Sequence, residues 1–471
     1  MKLYNTLSRT IENFEPIHPG QVSLYACGVT VYDYAHLGHL RKYTMDDLLV
    51  RTLRRAGYQV KFVQNVTDVG HLASDADTGE DKLEKGAKKY GKTVWDVAHE
   101  FEDYFWHSMD AMGNLRPDIS CRATEHIPQQ LEMVQELERR GFTYVIDGDG
   151  VYFDTSKLTD YGKLAHLKID ELQEGARVEM VPGKRLATDF ALWKFERPGE
   201  NRAMVWPSPW HERSFPGWHI ECSAMAVHYL GEQIDVHTGG IDHIPVHHTN
   251  EIAQAEAASG KQPFVRYWVH HNFLRIENEK MSKSLGNFFT IDDIVKRGYS
   301  PMALRLLFLT THYRSQLNFT WESLTGIQKS WERLQRLVSQ WREANPILEP
   351  LVPSDFSQKF FSALERDLST PEAVAVLWDV VGSPDLTASQ KLAHVLAFDE
   401  ILGLNLLQDK LDNSQKQADP ELPDEVQNLL QQRAAARAAK DWHRSDELRD
   451  EIAELGFTTE DGPAGQRVTT K

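Results

Sequence analysis

Residues 22–41 read VSLYACGVTVYDYAHLGHLR, and the spacing of apolar residues on either side of Gly28 decides the fold class. Val22 to Ala26 is a short β-branched and aromatic run, a strand broken at Gly28, whereas from about His36 to Ala56 the apolar positions recur at helical spacing. Gly57 stops that helix, and Tyr58 to Val66, YQVKFVQNV, returns as a second strand. Strand, helix and strand in this order form a βαβ unit with parallel strands and a right-handed crossover. His36 and His39 fall three residues apart on the first helical turn, beside backbone N–H groups left unpaired, where the helix dipole favours a phosphate. Gly38 lets a flat ring approach the backbone. An HxGH tetrapeptide standing alone is more often a pair of cap histidines, so a partner motif must decide.

The chain has 471 residues, enough for about three domains with sizeable cores. No apolar run approaches the ~20 residues of a membrane span, and MKLYNTLSRTIENF lacks the apolar core of a signal peptide, which predicts a cytoplasmic protein. Three cysteines, Cys27, Cys121 and Cys222, exclude a disulfide framework and leave reduced thiols or metal ligation. A net charge of −17 means that any grip on nucleic acid rests on local patches rather than on the overall field.

Residues 68–92, DVGHLASDADTGEDKLEKGAKKYGK, read as a long polar surface loop. Its DADTGED core is no EF-hand, because the twelfth position counted from Asp75 is Gly86 and not Glu. Thr93 to Met112 is predicted as an amphipathic helix with Val94, Val97, Phe101, Tyr104, Phe105 and Met109 inward, and Ile127 to Gly141 as another. Between Tyr144 and Val205, short strands such as VYFDT and DFALWKF alternate with Gly and Pro turns, as expected of a small α+β insertion between two halves of a larger domain. Cys121 precedes it without a ligand-like neighbour and reads as an ordinary thiol.

A helix carrying Cys222 comes next. Ile234 to His237 reads as a strand, Gly239 and Gly240 as its turn, and Pro245 as the start of a helix that Gly260 ends. His247 and Glu251, four apart, project from one face of that helix at metal-ligand reach, though such a pair is more often a surface hydrogen bond; His248 points elsewhere, as a cap or core histidine. After a strand from Val269 to Ile276 the chain reads NEKMSKSLGNFFTIDDIV, where Lys280 and Lys283 flank small hydroxyl residues beside Gly286. Two lysines with donor serines suit charge developing on a transferring phosphorus centre; as plain chemistry the same loop is equally a solvated basic one.

HLGH at 36–39 followed by KMSKS at 280–284 resembles the paired signature of class I aminoacyl-tRNA synthetases. CGVTVYDYAHLGH, FPGWHIECSAM, HTGGID, HHTNE and KMSKSLGNFFT are similar to the cysteinyl-tRNA synthetase family through most of residues 1–320, and ARAAKDWHRSDELRDEIAELG extends the likeness to the C-terminus. The resemblance implies one zinc ion per subunit that binds the substrate thiol, on Cys27, Cys222, His247 and Glu251. It places Thr67, Trp218 and His237 around the amino acid, and Gly239, Gly240 and Asp242 near the adenosine. It makes His36, His39, Lys280 and Lys283 the catalytic residues, with His36, Gly38, His39 and Lys283 also handling ATP and magnesium as its companion. Many members read HHENE where this chain has HHTNE, but Thr249 replaces a residue that is not a ligand. After Thr67 and Asp68 the family often continues with a compact lysine-bearing segment in place of the longer glycine-rich loop found here.

The expected architecture is α/β: a Rossmann-type parallel-sheet catalytic domain in two halves (1–118 and 206–265), a connective α+β insertion (119–205), a KMSKS-bearing domain (266–318), a helical bundle (319–407) and a small C-terminal α+β domain (424–471) that binds the tRNA anticodon. Trp321, Leu324, Gln328, Trp331, Leu334, Val338 and Trp341 repeat at helical spacing in the bundle, two more apolar helices follow, and the tryptophans read as core. Gln408 to Pro423 is a polar linker. Arg433, Arg437, Lys440 and Arg444 then fall on one helix face, a phosphate-binding stripe or a solvated face with equal claim, before GFTTEDGPAGQRVTT closes as a hairpin.

The implied activity is ATP-dependent formation of cysteinyl-adenylate and transfer to the 3′ end of tRNA(Cys), by a monomer. Two alternatives share parts of the signature: a cysteine ligase that transfers to an amino-sugar, as in the mycothiol-pathway relative, and a non-catalytic tRNA-binding paralogue. The basic C-terminal helix and hairpin argue against the first, and the intact motifs and ligands against the second. A zinc hydrolase would want HExxH, which the chain lacks.

Overall fold

β1 (Lys2–Asn5) and β2 (Thr10–Asn13) form an antiparallel hairpin ahead of the long β3 (Gln21–Thr30). The computed structural model describes residues 1–70, 81–166, 181–282, 285–407, 424–438, 441–455, 457–462 and 465–470. Gly28 does not end β3 as expected. The strand bulges between Ala26 and Val29, and Gly28 donates its N–H to Asn65 Oδ1 (2.7 Å), while a Cβ there would stand 1.6 Å from the Asn65 carbonyl oxygen. This glycine permits a close backbone approach instead of a stop. α1 (Leu37–Arg55) follows with His36 as its N-cap, Gly57 turns the chain at φ 91°, and β4 (Gln59–Thr67) returns parallel to β3, as the spacing predicts.

The polar stretch 68–92 is not all loop. α2 (Lys82–Tyr90) starts on Asp81, whose side chain accepts from the N–H groups of Leu83 and Glu84, and it stops at left-handed Gly91. Leu83 and Ala87 are its buried apolar side chains, too few for periodicity to show; residues 71–80 lie outside the described residues. α3 (Val94–Ala111) opens with a Thr93–Asp96 capping box and buries the predicted residues except Tyr104, which is half-buried.

After β5 (Ile119–Arg122) and α4 (Ile127–Arg139), an antiparallel sheet forms from β6 (Thr143–Ile146), β7 (Gly150–Phe153), β8 (Phe190–Phe195) and β9 (Ser214–Pro216), so the inserted unit reaches past Val205. α5 (Trp218–Leu230) leads to β10 (Ile234–Gly240), α6 (His247–Ser259) and β11 (Val265–His271). Gly239 and Gly240 are not a turn; they end β10, paired with His270 and His271, and α6 begins two residues after Pro245.

The expected strand 269–276 is two. β12 (Leu274–Ile276) leaves the main sheet after Asn272 and Phe273 and pairs with β13 (Glu279–Lys280) and, in parallel, with β14 (Leu317–Phe319), which follows α7 (Ile291–Lys296) and α8 (Pro301–Leu309). α9 (Trp321–Ala344) is followed by three helices where two were expected, α10 (Asp355–Glu365), α11 (Thr370–Gly382) and α12 (Ala388–Leu402). The tryptophans of α9 pack into or against this core, Trp331 fully and Trp321 and Trp341 in part. No helix among the described residues is long and apolar enough to cross a membrane.

The central sheet runs β11-β10-β3-β4-β5 and is parallel throughout. Its strand order reverses between β3 and β10, and in such sheets the crevice beyond the carboxyl ends at that point receives ligands. Alternation along β3 sends Leu24 and Ala26 into one core with α1 and α3, and Tyr25 and Cys27 into another with Cys222, Met225 and Ile252 of α5 and α6.

Residues 407–471 form a separate unit. In it α13 (Asp424–Ala438) and α14 (Trp442–Glu454) precede a hairpin of β15 (Phe457–Gly462) and β16 (Gly465–Thr470), and Val426, Leu448 and Ile452 are buried. The linker 408–423 lies outside the described residues.

Candidate active site and metal centre

Cys27 near the end of β3, Cys222 on α5, and His247 and Glu251 on α6 converge where the strand order reverses, all buried. Sulfur of Cys222, a ring nitrogen of His247 and a carboxylate oxygen of Glu251 lie within 4.8 Å of one another, and Cys27 Sγ is 3.6 Å from His247 Nε2. His247 Nε2 stands 2.9 Å from Glu251 Oε1, while its Nδ1 is 2.8 Å from Nδ1 of His219, which turns Nε2 toward the sulfurs. His237, predicted beside the amino acid, is fully buried with Nε2 2.9 Å from Glu251 Oε2 and its ring stacked on Trp268.

His248 does not point elsewhere. Its Nδ1 meets His270 Nε2 at 2.8 Å, and its Nε2, buried without a hydrogen-bond partner, faces the same centre 3.8 Å from Glu251 Oε1. Each of the two lies three residues before a member of the cluster, His219 before Cys222 and His248 before Glu251, so helical spacing was the available signal; it marks a shared face but not which face turns toward the other segments.

The electrostatics of this cluster are those of a cation site. The Cys222 thiol, donating to Cys27, is pushed well above its usual range by that bond and by burial, and Cys27 is held well below. Burial opposes charging His247, yet Glu251 and Cys27 raise it to about 10. Glu251 stays below the ordinary carboxylate range against its own burial because His237 and His247 face it. Buried anionic donors thus draw a proton onto an imidazole where a metal ion would neutralise them directly, and the donor set of two sulfurs, one imidazole and one carboxylate fits such an ion.

HLGH lies at the same end of the sheet. His36 Nδ1 accepts from the N–H groups of Gly38 (3.1 Å) and His39 (3.3 Å), and His39 Nδ1 accepts from His36 N–H (3.4 Å). Leu37 N–H donates to the Phe289 carbonyl (3.0 Å) and Leu40 N–H to the His36 carbonyl (3.1 Å). The expectation of unpaired first-turn amides is therefore corrected: the His36 cap and the Phe289 carbonyl consume them. Because each Nδ1 accepts, each neutral ring carries its proton on Nε2. The two rings stack 3.7 Å apart, and burial lowers His36 to about 4 and His39 well below an ordinary histidine.

The segment after β13 packs onto this turn. Phe288 lies edge-on to the His36 ring at 5.2 Å, and a Cβ on Gly38 would come within 3.9 Å of Met281. Lys280 is exposed on β13, and Lys283 lies outside the described residues. Thr67, at the end of β4, accepts from Asn65 Nδ2 (3.1 Å), and the Trp218 ring stands 5.0 Å from that of His247. A Cβ on Gly239 would come 2.3 Å from the His248 ring and one on Gly240 2.2 Å from Asp242 Oδ1, so the backbone itself forms this wall. Thr249 donates to the Ile244 carbonyl (2.7 Å) and takes no part in the cluster.

The single-face basic stripe is not formed. Asp441 caps α14 and separates Arg444 from Arg433 and Arg437 on α13; Arg433 is buried, Arg444 pairs with Glu447 and Glu451, and Lys440 lies outside the described residues.

Residues 13–329 match the family model for the class I (C) tRNA synthetase catalytic domain, and residues 419–468 that for the cysteinyl-tRNA ligase anticodon-binding domain. The chain belongs to the cysteinyl-tRNA ligase family. Cysteine–tRNA ligase 1 of Burkholderia lata is 48% identical over 469 residues, 99% of this chain and 96% of that protein, and the cysteine–tRNA ligase of Treponema denticola is 41% identical over 483 residues, 98% of each. Among solved structures, a Mycobacterium tuberculosis methionyl-tRNA synthetase with methionyl-adenylate (TM-score 0.55, 16% identity, 82% of this chain and 90% of that one) shares the class I fold. So does an Agrobacterium radiobacter K84 LeuRS–tRNA–LeuAMS complex (TM-score 0.59, 12% identity, 83% and 84%).

Proposed function

We propose that this protein charges tRNA(Cys) with cysteine in two steps at the crevice beyond β3 and β10. In the first, a carboxylate oxygen of cysteine attacks the α-phosphorus of ATP, the bond to the bridging oxygen breaks, and pyrophosphate leaves with the electron pair. In the second, the 2′-hydroxyl of the terminal tRNA ribose attacks the adenylate carbonyl and loses its proton, and AMP departs.

The observation that carries this reading is the buried set Cys27, Cys222, His247 and Glu251 sharing one end of the sheet with HLGH. Zinc held by these four residues would supply a soft Lewis-acid centre with affinity for the substrate thiol. Thr67, Trp218 and His237 bound the amino acid, with His237 aligning the Glu251 carboxylate. His36 and His39 act as neutral Nε2–H donors to phosphate oxygens of magnesium–ATP, and Lys280 and Lys283 neutralise charge as pyrophosphate leaves. Gly38, Gly239, Gly240 and Asp242 border the bound ATP. Residues 424–471 dock the tRNA of a cytoplasmic, monomeric enzyme. Cysteine-dependent ATP–pyrophosphate exchange, followed by a comparison of tRNA with an amino-sugar as acceptor, tests this; exchange without tRNA charging would refute it.

A further inference from the structure

Arg41 lies two residues after HLGH, is 2% exposed, and has no carboxylate partner among the described residues. One of its guanidinium nitrogens donates to the carbonyls of Asn272 (3.0 Å) and Phe273 (2.9 Å), the other to those of His312 (3.2 Å) and Ser315 (2.7 Å). The first two are the joint at which the chain leaves β11 for β12; the second two belong to the turn before β14. β12 and β14 are paired, and β12 carries β13 with Lys280 opposite Arg275. A neighbouring chain of contacts ends at the same joint. His271 Nε2 meets Asp46 Oδ1 at 2.8 Å, and Lys42 Nζ joins Asp46 Oδ2 (2.7 Å) to the carbonyl of Cys27 (2.7 Å). Three consecutive residues at the joint, 271 to 273, are thus held by α1.

A planar fork can satisfy four carbonyls converging from two segments, which a single ammonium cannot, and an isolated buried cation is costly unless its donors are used. We propose that Arg41 is a positioning residue for adenylate formation. It locks the β12–β13–β14 sheet to the helix that begins at HLGH, so that the histidine donors and Lys280 reach one triphosphate together. This rests on the reading of the protein as an adenylate-forming ligase.

The test uses the full-length, zinc-loaded protein and its Arg41→Lys and Arg41→Ala variants in cysteine-dependent pyrophosphate exchange. A misplacement of about 1 Å predicts a ~10²-fold fall in kcat for Arg41→Ala, with the KM for cysteine and the zinc content little changed. Added guanidinium ion should restore part of the lost rate in Arg41→Ala, a recovery that plain destabilisation would not give. Arg41→Lys, which keeps the charge but not the fork, should remain folded and slow. Wild-type kcat in Arg41→Lys, or rate and zinc lost together without guanidinium rescue, would overturn the inference. Absence of exchange in the wild type would instead overturn the ligase reading, and this inference with it.

Discussion

Acidifying the protein from pH 7 to 4 should leave His36 neutral long after an ordinary histidine has charged. Its ring is the N-cap of α1, with Nδ1 accepting two backbone N–H groups, and burial lowers it from 6.5 to about 4. At ~1.36 kcal/mol per unit, that displacement is worth about 3 kcal/mol in favour of the neutral ring, an upper figure because the ring is only partly covered. The folded state binds this proton more weakly than the unfolded chain, so the contribution is whole above pH 6.5, declines as the pH falls from there, and is gone below about 4. Two-dimensional NMR of the histidine Cε1–H groups, assigned with His36→Asn, should show no inflection for His36 above pH 5, and chemical denaturation should show stability falling between pH 6.5 and 4. The substitutions separate cap from donor. Asparagine also caps a helix, so His36→Asn should keep its stability to within a few tenths of a kcal/mol yet lose ~10²-fold in exchange, while His36→Ala should lose ~1 kcal/mol as well. A His36 resonance titrating near 6.5, or full activity in His36→Asn, would refute the assignment of a neutral ring donor.

Cys222→Ser or His247→Ala should lower zinc content and cysteine activation together, and metal-free protein should lose its preference for cysteine over serine, because a shape-matched pocket separates near-isosteres poorly; X-ray absorption on the cysteine complex should show a sulfur scatterer absent from the free protein. Lys283→Ala should slow activation at saturating substrates by ~10²-fold with less effect on cysteine affinity, read by single-turnover kinetics. Removing residues 424–471, part of a separate unit, should leave pyrophosphate exchange nearly intact while tRNA charging falls sharply. Gly239→Ala would drive a Cβ to 2.3 Å from the His248 ring and should cost ~1–3 kcal/mol in denaturation experiments, with loss of zinc.

Much of the catalytic half was readable from local order. The change of period between Val22 and Ala56 sets β3, α1 and β4 because a strand and a helix each write their repeat into neighbouring residues. The helix from Val94 was legible through its capping residues and apolar stripe, whereas the two buried apolar side chains of α2, Leu83 and Ala87, were too few to show a period. At 239–240 and at 28, glycine misled. The residue that commonly ends a strand is also the one that admits close contacts, and Asn65 and His248 decide which role it plays.

The sequence by itself determined the βαβ order and the HLGH and KMSKS pair, and through resemblance it nominated four ligands drawn from three separate segments. Only the tertiary structure brought Cys27 to Cys222, since nothing local relates residues 195 positions apart; the parallel sheet and the packing of α5 and α6 on one of its faces do so. It also set His219 and His248 beside the proposed ligands, spent the first-turn amides of α1 on its own cap and on the Phe289 carbonyl, and divided the basic stripe at Asp441. Each of these depends on which side chain lies across a buried gap, a distance in space that spacing along a chain does not encode.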